Sequence, residues 1–285
     1  MSVRASWFTK KKKIRINSVA IYNSLYQYTE KKINQNIQVD EIVDWIKNKT
    51  IKEFEKQYKK SPEVGALNNA IGRWNEFIAT TLFTQIALEF NQDSSTKVAI
   101  FSLPNSKITG LDSAKSYSQF INLLDLNQSQ NSGIKKLEQI QNNIFFPSPD
   151  YVIVTSKRNI KDQFDEILQR QALRPDILDF YTFLEGSLMS SEIRAVLSLK
   201  TSNRPDRRYQ PLFEAAIVKA IAYLLAQNWK YYMVASDLTE GDYTVFNHAI
   251  SPHGLATQQD IKLVDQTYLY TCKEDLKQLI LDTLT

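Results

Sequence analysis

Four short apolar runs constrain the fold most. Lys97–Leu103 (KVAIFSL) runs into Pro104-Asn105, and Tyr151–Thr155 (YVIVT) is entered through Pro147-Ser148-Pro149-Asp150. Ile193–Leu199 (IRAVLSL) and Tyr231–Ala235 (YYMVA) flank a long stretch rich in Ala, Leu and Ile, Gln210–Gln227. Apolar runs of this length between turn residues read as strands, and the long stretch reads as a helix. Strands alternating with helices define an α/β core. Ahead of that core the pattern is helical. Ser18–Asn36 sets Val19, Tyr22, Leu25 and Tyr26 on one stripe, and Val39–Lys60 repeats the spacing through Ile42, Trp45, Ile46, Ile51 and Phe54. A third helix is expected to start near Ala66 and run through TTLFTQIALEF, and Lys273–Leu284 closes the chain as a helix. The polar stretch Asn127–Gly133 reads as a loop. The expectation is one domain over residues 1–285, with residues 1–65 mainly helical and residues 66–285 forming the core.

Composition narrows the function. With 285 residues, 43% apolar and 23% charged, the chain is too apolar for disorder and too interrupted by charge for a membrane protein. A single cysteine, Cys272, excludes an internal disulfide framework and a cysteine-cluster zinc site, and fits a reducing interior such as the cytoplasm. Seven glycines and no Gly-rich phosphate loop speak against a nucleotide-cofactor enzyme. There are 35 Lys and Arg against 31 Asp and Glu, a net charge of +4, so any nucleic-acid site must be a local cluster. The N-terminal MSVRASWFTKKKKIRIN is basic with no long apolar run after it, unlike a signal peptide or a spanning helix. Its Lys10–Lys13 run reads as a solvated tail, with a phosphate-touching arm as the lesser alternative.

The chemistry concentrates in residues 197–210, LSLKTSNRPDRRYQ, followed by Glu214. Lys200 ends a strand, where side chains project toward a catalytic edge. Pro205 makes the segment from Asn203 to Arg208 a rigid turn. Arginine binds guanine O6 and N7 with a bidentate fork, and aspartate accepts from cytosine N4. Arg204 and Arg207 can therefore take two adjacent guanines and Asp206 the cytosines opposite, which a two-fold dimer doubles into the palindrome CCGG. The competing reading of this turn is a surface loop with weak Arg–Asp ion pairs. Upstream, Asp150 stands before a buried strand, where it is either a Mg²⁺ ligand or an ordinary turn residue. Together the pieces suggest one reaction, in which Asp150 and Glu214 would hold Mg²⁺ and Lys200 would orient or activate the attacking water and stabilise charge on phosphorus.

SPDYVIV, LSLKTSNRPDRRYQ and Glu214 resemble the PD-(D/E)XK nuclease superfamily, and within it the type II restriction endonucleases that cut sites with a CCGG core. The resemblance extends to Gly72-Arg-Trp-Asn-Glu76 and to Leu103-Pro-Asn, touching residues from about 66 to 235. It implies a central mixed sheet flanked by helices with the site at one edge. It implies Asp150 as the metal-binding aspartate and Lys200 as the active-site lysine. Ser198 stands where the usual acidic residue is absent, with Glu214 on the following helix taking its place. Glu76 matches a glutamate near the same metal centre, and Arg204, Asp206 and Arg207 match the residues that read the core. Arg208 is grouped with that DNA-binding turn, and Asn69 is placed near the minor groove. The resemblance further implies double-stranded DNA as partner, Mg²⁺ as cofactor, a homodimer or a tetramer of two dimers, 5′ overhangs and a bacterial cytoplasmic setting.

Two other readings compete. A non-catalytic, sequence-specific DNA-binding protein would keep the turn without the chemistry, but it has no use for Asp150 and Glu214 beside phosphate. An unrelated metabolic α/β enzyme is the other, and the missing Gly-rich phosphate loop weighs against one that uses a nucleotide cofactor.

Overall fold

The computed structural model describes residues 6–10, 12–104, 119–125, 133, 136, 149–156, 161–201 and 208–284. The loop expected at Asn127–Gly133 falls, apart from Gly133, outside them.

A short antiparallel ribbon opens the chain: β1 (Phe8–Lys10) pairs with β2 (Ile14–Ile16). It is closed at its base by Asn17 N–H donating to Trp7 O at 2.8 Å. Phe8 is buried against the rings of Phe54 and Tyr58 at 5.1 and 5.9 Å, which pins the ribbon to the protein. This corrects the tail expected at Lys10–Lys13. Lys10, Lys12 and Lys13 are exposed, but an aromatic anchor holds the ribbon that carries them.

Three helices follow. α1 (Ser18–Asn34) starts where the Asn17 side chain accepts from Ala20 N–H at 3.1 Å. α2 (Val39–Tyr58) carries Asp40 and Glu41 in its first turn, which suits the helix dipole, and stops at Lys59 in the left-handed region, φ 54°. α3 (Val64–Asn91) is the longest, and its second half is buried almost all round. Trp74 is fully buried, its indole N–H donating to Ser18 O at 3.1 Å, and so locks α3 to α1.

The sheet contains β3 (Lys97–Ser102), β4 (Tyr151–Ser156), β5 (Ile193–Lys200), β6 (Lys230–Ala235) and β7 (Gln266–Leu269), in that spatial order. β3, β4 and β5 are mutually antiparallel, whereas β5, β6 and β7 are parallel. All six residues of β4 are buried, and its first four, Tyr151–Val154, form an unbroken apolar run rather than an alternating one. Helices α4 (Lys161–Leu173) and α5 (Asp179–Leu184) join β4 to β5, and α6 (Tyr209–Leu224) joins β5 to β6. α7 (Glu240–His248), α8 (Pro252–Ala256) and α9 (Lys273–Leu284) complete the order. One contiguous core runs from Phe8 to Ile280. The four expected strands are present. β7 and the ribbon carry too few apolar residues for periodicity to reveal. Among the described residues, no helix is long and apolar enough to cross a membrane.

Candidate active site

Asp150 precedes β4 and is held from both sides. Its N–H donates to Leu197 O and its carbonyl accepts from Leu103 N–H, each at 3.1 Å. The pairing of Tyr151 with Leu197 then points the Asp150 carboxylate along the end of β5. Oδ2 accepts from Leu199 N–H at 2.7 Å and from Lys200 Nζ at 2.9 Å. Ser198, fully buried two residues before Lys200 and so on the same face of the strand, aims its hydroxyl at the same oxygen from 3.4 Å. Fifty residues apart in sequence, Asp150 and Lys200 form an ion pair at the mouth of the sheet.

Glu214 lies in the second turn of α6 and is 4% exposed. Its Oε1 accepts from the buried hydroxyl of Tyr231 at 2.6 Å. Burial, and then the negative charge of Asp150, push its carboxyl up to about 7, against the opposing pull of Tyr231 and Lys200. Lys200 responds in the complementary direction. Burial alone would lower it, but Asp150, Glu214 and Glu76 together hold its ammonium above the ordinary lysine value. Glu76, on α3, is ion-paired with Arg73 at 2.6 Å. Its carboxyl is raised, first by the surrounding protein and, against Arg73, by Asp150. The α3 backbone at this point is anchored to the strand, since Tyr151 hydroxyl donates to Glu76 O at 2.8 Å. Asp150, Ser198, Lys200, Glu214 and Glu76 therefore share one electrostatic neighbourhood built by β4, β5, α6 and α3.

Among the described residues, no three His, Cys, Asp or Glu side chains form a metal-holding group. The donors at this site are the carboxylates of Asp150 and Glu214. Glu214 is raised by burial first and by the charge of Asp150 second, and both disfavour a second bare carboxylate here. Oxygen donors, one or two carboxylates in number, suit a hard divalent ion that keeps several of its waters.

The remaining candidates separate. Arg204, Asp206 and Arg207 lie outside the described residues. Asn69 is exposed on α3, two turns before Glu76. Arg208, grouped with the DNA-binding turn on sequence, is engaged inside the protein. Its Nε donates to Asp242, which is fully buried, and its Nη2 to Thr239 Oγ1 at 3.4 Å. Asp242 and Thr239 form the capping box of α7, with Thr239 N–H donating to Asp242 at 2.8 Å. Burial would raise the Asp242 carboxyl, but the Thr239 and Arg208 donors outweigh it and hold it below its ordinary range. The Thr-x-x-Asp spacing at 239–242 is a sequence signature of such a cap. No comparable signal marks Tyr231 as the donor to Glu214, because a tyrosine in an apolar strand reads only as core.

Two solved structures share this architecture. A Type IIF restriction endonuclease, Bse634I with cognate DNA, superposes with a TM-score of 0.75 at 22% identity, covering 98% of this chain and 97% of its own. A second Bse634I restriction endonuclease structure superposes at 0.74, again with 22% identity, covering 98% and 96%. The mixed sheet with its flanking helices is thus a restriction-endonuclease fold. The family model described as Cfr10I/Bse634I restriction endonuclease matches residues 3–285. The Type II restriction enzyme Cfr10I of Citrobacter freundii is 25% identical over 207 residues, 66% of this chain and 68% of that relative. The chain belongs to the Cfr10I/Bse634I restriction endonuclease family, and is a type II, site-specific deoxyribonuclease that binds DNA.

Proposed function

We propose that this enzyme cuts double-stranded DNA in a Mg²⁺-dependent reaction at a palindromic site with a CCGG core, leaving 5′ overhangs. The observation that carries the catalytic part is the convergence of Asp150, Lys200 and Glu214, with Lys200 Nζ 2.9 Å from Asp150 Oδ2. Asp150 and Glu214 are the residues that would hold the divalent ion. When bound, such an ion polarises a phosphodiester oxygen and lowers the pKa of a water. Lys200, kept charged by three surrounding carboxylates, donates hydrogen bonds to the attacking water and to the charge that develops on phosphorus. Ser198 and Leu199 N–H fix the Asp150 carboxylate so that it does not rotate away. Tyr231 does the same for Glu214. Glu76 adds a third negative group at the edge of the site.

Support for the core sequence is chemical: Arg204 and Arg207 present forks that match guanine, and Asp206 an acceptor that matches cytosine amino groups. A single turn reads half of a palindrome, so the acting species is a homodimer within one endonuclease domain per chain, and a tetramer of two dimers is its larger form. A bacterial cytoplasm is the setting for such an enzyme.

Digestion of a plasmid of known sequence with Mg²⁺, followed by sequencing of the ends, tests the proposal. Discrete fragments with four-base 5′ ends inside CCGG-containing sites are expected. Random ends, ends lacking CCGG, or cleavage undiminished in EDTA would overturn it, and light scattering that finds only monomer would overturn the dimer.

A further inference from the structure

The charge of this chain is unevenly distributed. Residues 1–63 hold 14 Lys and Arg against 7 Asp and Glu, a net +7, while residues 64–285 hold 21 against 24, a net −3. The part that carries the nuclease site therefore repels DNA in sum, and the attraction resides in the N-terminal portion.

The structure gathers that charge at one place. Lys10, Lys12, Lys13 and Arg15 are exposed on the β1–β2 ribbon. Phe8 seats the ribbon on the last turns of α2, where Lys56, Lys59 and Lys60 are also exposed. Lys13 meets Glu63, immediately ahead of α3, at 3.5 Å, with both side chains largely in solvent, so the pair is weak and leaves the lysine available. Glu76 lies on the same helix thirteen residues beyond Glu63. At about 1.5 Å per residue this is roughly 20 Å, or about six base pairs of duplex at 3.4 Å each. Between these two glutamates α3 carries no carboxylate, and its outward positions Gly65, Asn69 and Gly72 fall on one stripe with Glu76. A β-carbon at Gly65 or Gly72 would meet nothing within 4 Å, so no internal packing accounts for glycine there. Between the basic ribbon and the catalytic edge, α3 thus presents a small-residue stripe without carboxylates.

We infer that the basic β1–β2 ribbon grips the phosphate backbone of the duplex flanking the cleavage site, roughly six base pairs beyond the scissile position. The aromatic anchor makes the ribbon a fixed clamp whose cations stand where a duplex crossing the site continues. Its contribution is independent of base sequence and released by salt. This rests on the nuclease reading above, because it needs DNA seated at Asp150 and Lys200.

The test is binding of a triple variant, Lys10→Gln with Lys12→Gln and Lys13→Gln, to 12- and 30-base-pair duplexes in Ca²⁺ at 50 to 200 mM salt. On the longer duplex the slope of log K against log salt is expected to fall by about 2–3, near 0.9 for each lost phosphate contact. The loss falls equally on cognate and scrambled 30-mers and is absent on the 12-mer, which ends before the ribbon. The matching triple Lys→Arg variant restores the wild-type slope. Equal slopes for wild type and Gln variant on the 30-mer, or the same loss on both lengths, would overturn the inference. So would an Arg variant as weak as the Gln variant, which would make the loss structural. If the wild-type chain neither binds nor cuts any duplex, the nuclease reading fails first. If it binds and cuts while the Gln variant matches it, the clamp alone falls.

Discussion

The hydroxyl of Tyr231 on β6 donates a 2.6 Å hydrogen bond to Glu214 on α6, and both groups are buried. That bond makes a carboxylate tolerable in the protein interior beside Asp150. It also makes Tyr231 a positioning residue for the site. Tyr231→Phe leaves the carboxylate without its donor, at a cost of about 1–3 kcal/mol. Because the bond favours the ionised form, the loss is expected to be larger at pH 8 than at pH 5.5. Urea unfolding at the two pH values measures it, and equal losses would show that the bond does not sense the charge.

Glu214 makes the metal-free protein weaker in alkali. Its carboxyl titrates at about 7 in the folded protein against an ordinary value of 4.5. Between those values the folded state holds a proton that the unfolded state has lost. The stabilisation is fully present below 4.5 and is lost as pH rises through about 7. At about 1.4 kcal/mol for each pH unit of difference, the loss is on the order of 3 kcal/mol. In EDTA, wild-type Tm should fall from pH 5 to pH 8.5, and Glu214→Gln should flatten that fall. Mg²⁺ at pH 8.5 should raise the Tm of wild type and leave that of Glu214→Gln nearly unmoved. A variant that gains as much from Mg²⁺ as wild type would place the ion elsewhere.

Lys200→Ala and Asp150→Ala should each lower cleavage by roughly a thousandfold or more while leaving the far-ultraviolet spectrum intact. Lys200 is a partly exposed end-of-strand residue, so its removal spares the core. Binding of the Lys200→Ala protein to a CCGG duplex should largely survive. Cleavage at the wild-type rate by either variant would dissolve the proposed centre.

The reading turn and the residue that ends it should respond differently. Arg204→Ala or Arg207→Ala should cost about 1–3 kcal/mol of preference for CCGG over scrambled duplex, with stability unchanged. Arg208→Ala should instead destabilise the fold by about 2 kcal/mol, because it strips a charged donor from the buried Asp242. Thermal unfolding beside competition binding separates the two. Should Arg208→Ala keep its Tm and lose CCGG preference, Arg208 would be a base reader rather than a latch.

Much of the fold was legible in the order of apolar runs. A strand buried on both faces, such as Tyr151–Ser156, shows a continuous apolar run, here Tyr151–Val154, and an amphipathic helix such as Ser18–Asn34 shows its stripe. The candidate site residues were legible as types and positions: an acid before one strand, a lysine ending another, an acid in the next helix. The ribbon and β7 were not, because strands of three or four residues with at most one buried side chain each carry no period.

Which groups meet was a matter for the assembled chain. Local sequence dictates which face of an element is apolar, since that depends on solvent and on periods of two or 3.6 residues. It does not dictate register between distant strands. The alignment of Tyr151 with Leu197 brings Asp150 to Lys200, and the adjacency of β6 and α6 gives Glu214 its tyrosine. The same assembly paired Arg208 with Asp242 and seated the β1–β2 ribbon, through Phe8, on Phe54 and Tyr58. A buried charge takes whatever partner the packed core places within hydrogen-bonding reach, and that reach exists only in three dimensions.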